Sequence, residues 1–590
     1  MEFENKNSKW RLSELLPDPY DESLQNQTKK LDQEILKLEN YQSELIPQIS
    51  RETFSEILSL LESINSTINC LQSYAYLWFS ENTQNEKALN LRDQLDQTIV
   101  DYSNRILFFD LWFKDLPEQE ANRLIDWSGD LKYLLSSVRR FKPYTLSEVE
   151  EKLINIKDVN GIDALVSLYE MITNRFSFSM QTKEEELKLT RDQLTGYFFD
   201  PSAEIRKNAY DELYRVYSDQ APILSQIYNH RVRDWHSEGI SLRGYKSPIS
   251  ARNIGNDLPD DIVNTLLAVC RKNAPIFLRF FELKANWLGL KKLRRCDIYA
   301  PLTETDNQFD YDQARELVMQ SFYGFSPLVA DLANRVFDEQ HIDPLPRPGK
   351  RGGAFCSAVT PKFTPWVAMN FSGRLNDVLT LAHELGHAVH AMLAQDHSVM
   401  TFHASLPLAE TASVFAEMNM AQHLLKEEKD LVIRRNLLAH LVDNAYITVL
   451  RQAFFTLFEI DAHRMILEGC SNEDLADHYL ASLREQFGDA VEISDQFRWE
   501  WITVPHFYNE PFYTYAYSFG QLLVLALYQK YQNEGSEFIP NYLRILSYGG
   551  SDSPINILKT AEIEIHSTEF WQLGFDIIEE FILELENIGI

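Results

Sequence analysis

Residues 379–393, LTLAHELGHAVHAML, set three histidines and one glutamate in an otherwise apolar, small-residue run. His383 and His387 are four residues apart. On a helix both imidazoles leave the same face, about one turn from each other. That spacing lets two nitrogens reach one Zn²⁺ at about 2.0–2.1 Å. Glu384 is offset by about 100°, where its carboxylate can take a proton from water at the metal's open position. This is the HExxH arrangement. With 14 His and 87 acidic residues in 590, chance supplies about 0.05 such patterns per chain. Apolar helical spacing at Val378, Leu381, Leu385, Val389 and Met392 lowers chance further. His390 shares the face, but seven residues of helix rise about 10.5 Å. Three imidazoles cannot converge over that length, so His390 is read as a packing or supporting residue. Gly386 costs about 1 kcal/mol against Ala in a helix interior, which points to another backbone passing close by.

A third ligand must come from elsewhere. Downstream runs ASLPLAETASVFAEMNMAQHLL, with Pro407 suited to a helix start. Glu410 is flanked by Ala409, Ala412, Ser413 and Ala416, small side chains that let this segment approach the histidine helix. Glu410 would complete a His₂Glu site with water in the fourth position. His397, His403 and Glu417 are the rival third ligands. Glu417 could instead hold the free N–H of a ligand histidine. No third histidine follows a glycine turn, so the metzincin pattern is absent.

Residues 504–521, VPHFYNEPFYTYAYSFGQ, gather His506, Tyr508, Tyr513, Tyr515 and Tyr517. Tyrosine is an ordinary core residue, and most of these fit that role. Hydrolysis of an amide, however, builds a negative oxygen, and a phenol or imidazole aimed at it stabilises it by about 3–4 kcal/mol. One or two of His506, Tyr508, Tyr513 and Tyr515 are expected to do so; spacing does not say which.

The elements that must position these groups are mainly helical. The 590 residues are 45% hydrophobic and 24% charged, with only 21 glycines, which favours helices in two or three lobes. From Tyr20 to about Ile156 leucine and isoleucine recur at three- and four-residue steps. A polar stretch at 175–190 suggests a boundary, giving an N-terminal helical lobe 1–185 and a catalytic domain 186–590. The segment from Pro259 to Gly289 opens with two acids, a good helix start. Between 343 and 374 the texture turns Pro- and Gly-rich, with β-prone AFCSAV and WVAMNF. This is the one credible small sheet, and an extended peptide is expected to pair with an exposed WVAMNF edge.

The net charge of −31 disfavours nucleic acid and anionic membranes as partners. No stretch reaches 18 apolar residues, so no membrane span is expected. The five cysteines are scattered without a CxxC, and MEFENKNSKWRLSELLPD carries no apolar signal region. Both fit a cytoplasmic location.

Taken together, MNFSGRLNDVLTLAHELGHAVH, ETASVFAE, HFYNEPFYTYAYSFG and SYGGSDSP resemble the M3 family of zinc metallopeptidases, in its oligoendopeptidase F branch. RGYKSPISARNIGNDLP and KRGGAFC also look like this group. The resemblance implies a mainly α, two-lobed fold with a deep central channel and a small sheet beside the HExxH helix. It implies one zinc per chain on His383, His387 and Glu410, with Glu384 as general base. It implies internal cleavage of short peptides, with His506, Tyr513 and Tyr515 as donors and Tyr508, Gly549 and Gly550 against substrate. The protein would be a monomer or small homo-oligomer. Two rival readings are a dipeptidyl carboxypeptidase-like exopeptidase, which needs a cation for the substrate's terminal carboxylate, and a non-catalytic peptide-binding scaffold, which has no need of Glu384.

Overall fold

The computed structural model describes residues 9–18, 22–181, 186–302 and 309–589. Helices dominate, and none among the described residues is long and apolar enough to cross a membrane. The chain divides into two compact units, each assembled from three stretches.

The first unit comprises Met1–Lys142, Asn307–Lys426 and Lys530–Glu564. It opens with helices Glu22–Asn40, Arg51–Glu81 and Glu86–Asp115. Ser50 and Asn85 start the latter two by accepting from backbone N–H groups of the first turn, satisfying donors that helix geometry leaves unpaired. Their apolar stripes, among them Leu31, Ile35, Ile57, Leu61 and Ile64, close on one another.

A three-stranded sheet follows, made of β1 (Ile342–Asp343), β2 (Phe355–Ser357) and β3 (Trp366–Ala368), in the order β1-β3-β2. β1 runs parallel to β3 and β2 antiparallel to it. WVAMNF is therefore the centre of the sheet and not its exposed edge. Trp366 and Val367 are fully buried, and Trp366 shares an apolar cluster with Trp10 and Leu77. A three-residue strand shows no alternation that could tell centre from edge; pairing decides it, and the half-buried β2 takes the edge.

Lys350 fastens the loop before β2. Its ammonium, almost wholly buried, donates to the carbonyls of Asp343, Leu345 and Met369 and to the Asp343 carboxylate. Asn370 adds two bonds to the carbonyls of Arg351 and Gly353. Next comes α1 (Leu375–Leu393), whose start is held by the Asp377 carboxylate on the N–H groups of Ser372 and Arg374. Its apolar positions Val378, Leu381, Leu385, Val389 and Met392 are all buried, as their spacing requires. A short 3₁₀ turn at Leu406–Leu408 absorbs Pro407, and α2 begins only at Thr411, ending at Glu427. Glu410 thus stands just ahead of α2 and not within a helix opening at Pro407.

The second unit comprises Pro143–Asp306, Glu427–Gln529 and Ile565–Ile590. Helix Asp260–Trp287 begins after Pro259 with two acids in its first turn, as read from the sequence. The expected boundary at 185 falls on residues 182–185, which lie outside the described residues; strands Phe178–Gln181 and Glu186–Leu189 flank them as an antiparallel pair. The elements that matter here are α3 (Arg451–Leu467), the short α4 (Pro505–Asn509) and α5 (Tyr515–Glu534). Upstream of α4, a buried Glu500 accepts from Arg295 at 2.6 Å and Arg451 at 3.0 Å. Removing one partner of such a buried pair typically costs about 3–5 kcal/mol, so the segment leading to His506 is firmly set.

Candidate active site

α1 presents His383 and His387 on one face, ring centroids 4.9 Å apart. Glu410 meets both: its Oε2 lies 3.4 Å from the Nε2 of each ring. The three donor atoms form a group able to hold a metal ion. A tetrahedral ion with bonds of about 2.0–2.1 Å has ligands about 3.3–3.4 Å apart along the tetrahedron's edges, so the spacing fits Zn²⁺ and two imidazoles with one carboxylate are a fitting donor set.

Gly386 makes this meeting possible. A methyl group there would sit 2.7 Å from the Ala412 carbonyl oxygen and 2.7 Å from the Ser413 Cα. The backbone of α2 crosses where a side chain would stand, two residues after Glu410. Ser413 then donates to Glu410 Oε2 at 2.6 Å, fixing that carboxylate. On the far side of the ring, Glu417 Oε2 lies 3.4 Å from His383 Nδ1. Such a carboxylate orients a ligand imidazole and raises its basicity.

Glu384 is 6% exposed, and its Oε2 has no hydrogen-bond partner among the described residues. Burial pushes its carboxyl up to about 7, with His383 pulling down and Glu410 pushing up. A carboxylate near neutrality is suited to proton transfer. Burial holds the His387 imidazole below its usual range despite Glu410, leaving the neutral form that binds metals.

A cavity of about 410 Å³ joins these groups to the 354–358 segment containing β2, to His390 and Ala391, and to Phe402–Ala404. The rival ligands are engaged elsewhere or stand apart. His397 Nδ1 lies 2.6 Å from Asp130 Oδ1, and its Nε2 2.9 Å from the Ser547 carbonyl. His403 is exposed, with its ring 3.9 Å from that of Phe402.

Gly549 and Gly550, expected against substrate, lie close against another loop. Side chains there would strike the carbonyl oxygens of Phe402 and His403 at 2.3 and 2.2 Å. The Gly550 N–H donates to the Thr401 carbonyl at 2.7 Å. The pair seats one loop on another.

The aromatic residues of 504–521 belong to the second unit and separate into two sets. Tyr508 and Tyr515 are fully buried. Tyr508 stacks on Tyr169 with centroids 3.7 Å apart, and the Tyr515 hydroxyl accepts from Asn256 at 2.8 Å. Tyr508 thus packs within the core, and Tyr515, which accepts from Asn256, keeps its own O–H to donate. His506, Tyr513 and Tyr517 form the other set, with ring centroids 5.3–5.7 Å apart. Tyr517 is 39% exposed, and its hydroxyl lies 3.4 Å from His506 Nε2. Tyr517, part of the aromatic segment but not singled out by its spacing, joins His506 and Tyr513. Beside Tyr513, Phe512 has φ of +58°; its N–H donates to the buried Glu459 at 2.9 Å.

The family model described as peptidase family M3 matches residues 198–577. Oligopeptidase PepF of Bacillus subtilis (strain 168) is 25% identical, over 98% of this chain and 87% of its own. Group B oligopeptidase PepB of Streptococcus agalactiae serotype III is 26% identical, over 96% and 95%. Among solved structures, a chain from Chlamydophila abortus superposes with a TM-score of 0.88 at 23% identity, covering 99% of this chain and 98% of that one. Oligoendopeptidase-F from Enterococcus faecium gives 0.71 at 21% identity, covering 95% and 99%. At these identities the structural likeness speaks for the fold, which is the mainly helical one expected.

Proposed function

Because the chain belongs to peptidase family M3 and is a metallopeptidase of oligopeptides, we propose that His383, His387 and Glu410 hold a single Zn²⁺ and that Glu384 is its general base. What carries the reading is the common 3.4 Å separation of Glu410 from both imidazoles, the edge length a tetrahedral zinc site requires.

When bound, zinc polarises the scissile carbonyl and acidifies water at the site. Glu384 takes the proton and passes it to the leaving amine; its burial and raised affinity for a proton suit both transfers. Glu417 keeps His383 in the tautomer that presents Nε2. The edge strand β2 offers its unpaired side to an extended peptide, which binds by strand addition. To His506, Tyr513 and Tyr517 we assign hydrogen-bond donation to the oxyanion, because they carry the cluster's solvent-facing phenols and imidazole. The substrates are short peptides cut internally. The free cysteines suit a reducing cytoplasm.

The test is a quenched peptide blocked at both ends, with zinc content measured alongside. Wild type should cut it internally. Glu384→Gln should keep its zinc and lose nearly all turnover. Undiminished cleavage by that variant would remove Glu384 from its role, and failure of wild type to cut a doubly blocked peptide would favour the exopeptidase reading.

A further inference from the structure

The cavity does not end at the metal ligands. One helical turn past His387 it continues along His390 and Ala391 of α1 and along Phe402, His403 and Ala404 of the loop that follows. His390 is 7% exposed, and its ring has no hydrogen-bond partner among the described residues. Because the ring lines the cavity, a hydrogen-bonding group of a bound molecule can reach it. Burial holds the ring neutral, at about 3, so one nitrogen donates and the other accepts.

The facing loop is fixed before any substrate arrives. Asp130 Oδ2 accepts from the Ser398 N–H at 2.7 Å and the Thr401 hydroxyl at 2.6 Å, its Oδ1 holds His397, and the glycine pair buttresses Phe402 and His403 from behind. Such preorganisation lets a pocket discriminate by shape and by single hydrogen bonds. The wall offers room beside Ala391 and Ala404 and the imidazoles of His390 and His403, the exposed His403 ring lying over the buried ring of Phe402. Among the described residues no Lys or Arg lines the cavity, whereas Glu384 and Glu410 do.

We propose that this end of the cavity is the subsite for a residue flanking the scissile bond, and that it selects an uncharged aromatic side chain with a hydrogen-bonding head, tyrosine above all. The ring lies against the exposed His403 imidazole and its hydroxyl exchanges a hydrogen bond with His390; an acidic side chain meets no Lys or Arg there and two carboxylates. This rests on the peptidase reading above.

The experiment uses the zinc-loaded full chain and a quenched peptide series with Tyr, Phe, Ala or Asp immediately before or immediately after the scissile bond. At one of the two positions kcat/KM should fall in the order Tyr, Phe, Ala, Asp, with Tyr ahead of Phe by about two- to tenfold, the worth of one neutral hydrogen bond. In His390→Leu the Tyr-to-Phe ratio should fall to about one whatever the absolute rate, and His390→Gln should restore part of it. A ratio unmoved by His390→Leu, or no Tyr preference at either position, overturns the proposal. Should His390→Leu fail to fold, Ala391→Phe fills the pocket and should turn the preference from Tyr toward Ala; an unchanged order there also overturns it. Anisotropy binding of the same peptides to zinc-loaded Glu384→Gln separates the two readings. Tyr-selective binding with no cleavage by wild type would keep the subsite and sink the peptidase reading. Cleavage without Tyr selectivity would do the reverse.

Discussion

Gly386→Ala sets two effects of opposite sign against each other. In an isolated helix the change stabilises by about 1 kcal/mol. Here the new methyl group would lie 2.7 Å from both the Ala412 oxygen and the Ser413 Cα, where ordinary contact begins at 3.4 Å. The obstacles are backbone atoms, so α1 and α2 must part by about 0.7 Å, a distortion of the kind that costs about 1–3 kcal/mol when a packed core is overfilled. Glu410 stands two residues from the clash and moves with it. Metal–ligand distances tolerate only about ±0.2 Å, so the third ligand is pulled out of range. We expect at least tenfold weaker zinc binding, the lower end of the loss seen when a ligand is badly held, and stability unchanged or lower by about 2 kcal/mol. Competition with a chromogenic chelator measures the first and melting of the zinc-free protein the second. Wild-type zinc affinity together with a stability gain of about 1 kcal/mol would show that the helix crossing does not depend on the missing side chain.

Glu417→Gln should lower zinc affinity about ten- to hundredfold in the same competition, with kcat largely restored at saturating metal. Tyr513→Phe should cut kcat at least tenfold at little cost in stability, whereas Tyr515→Phe, losing the bond from Asn256, should lower stability by about 0.5–1.5 kcal/mol and leave kcat near wild type; steady-state kinetics paired with denaturant melts distinguishes them. Glu459 gives a pH test. Burial pushes its carboxyl up to about 8, against the pull of the Phe512 N–H, Arg252 and Arg231. The folded state therefore holds a proton that the unfolded chain releases near its ordinary value of 4.5, and the stability contributed by that proton falls as pH rises from about 4.5 to about 8. Glu459→Gln, neutral throughout, should melt above wild type at pH 9 and close to it at pH 5; an equal difference at both would refute the assignment.

The meeting of His383, His387 and Glu410 was legible because helical geometry fixes the spacing of the two histidines. Two histidines a turn apart, a glycine where alanine would be better, and a glutamate among alanines each state a demand that one structure meets. The aromatic segment was harder to read because it passes from α4 through a turn into α5, and no single period covers it. Only with both ends in place do Tyr508 and Tyr515 fall inward and His506, Tyr513 and Tyr517 outward. The sheet was foreseen but its order was not: Trp366 and Phe355 look equally suited to either place until pairing with Ile342 makes one strand central. Gly549 and Gly550 were visible as special, yet what they touch, the carbonyls of Phe402 and His403, is more than 140 residues away in the chain.

Each unit is interleaved in sequence with the other, and this bears on biosynthesis. The unit carrying the histidines begins with residues up to Lys142 and is completed only by Lys530–Glu564. At about 5–20 residues per second, roughly 20–80 s separate the translation of Lys142 from that of Glu564. Trp10 and Leu77 emerge long before Trp366, the neighbour that shelters them. Until then these apolar side chains lack the partner against which they pack in the finished unit. Prematurely terminated products ending before Lys530 would lack a closing piece, and quality-control proteases should clear them.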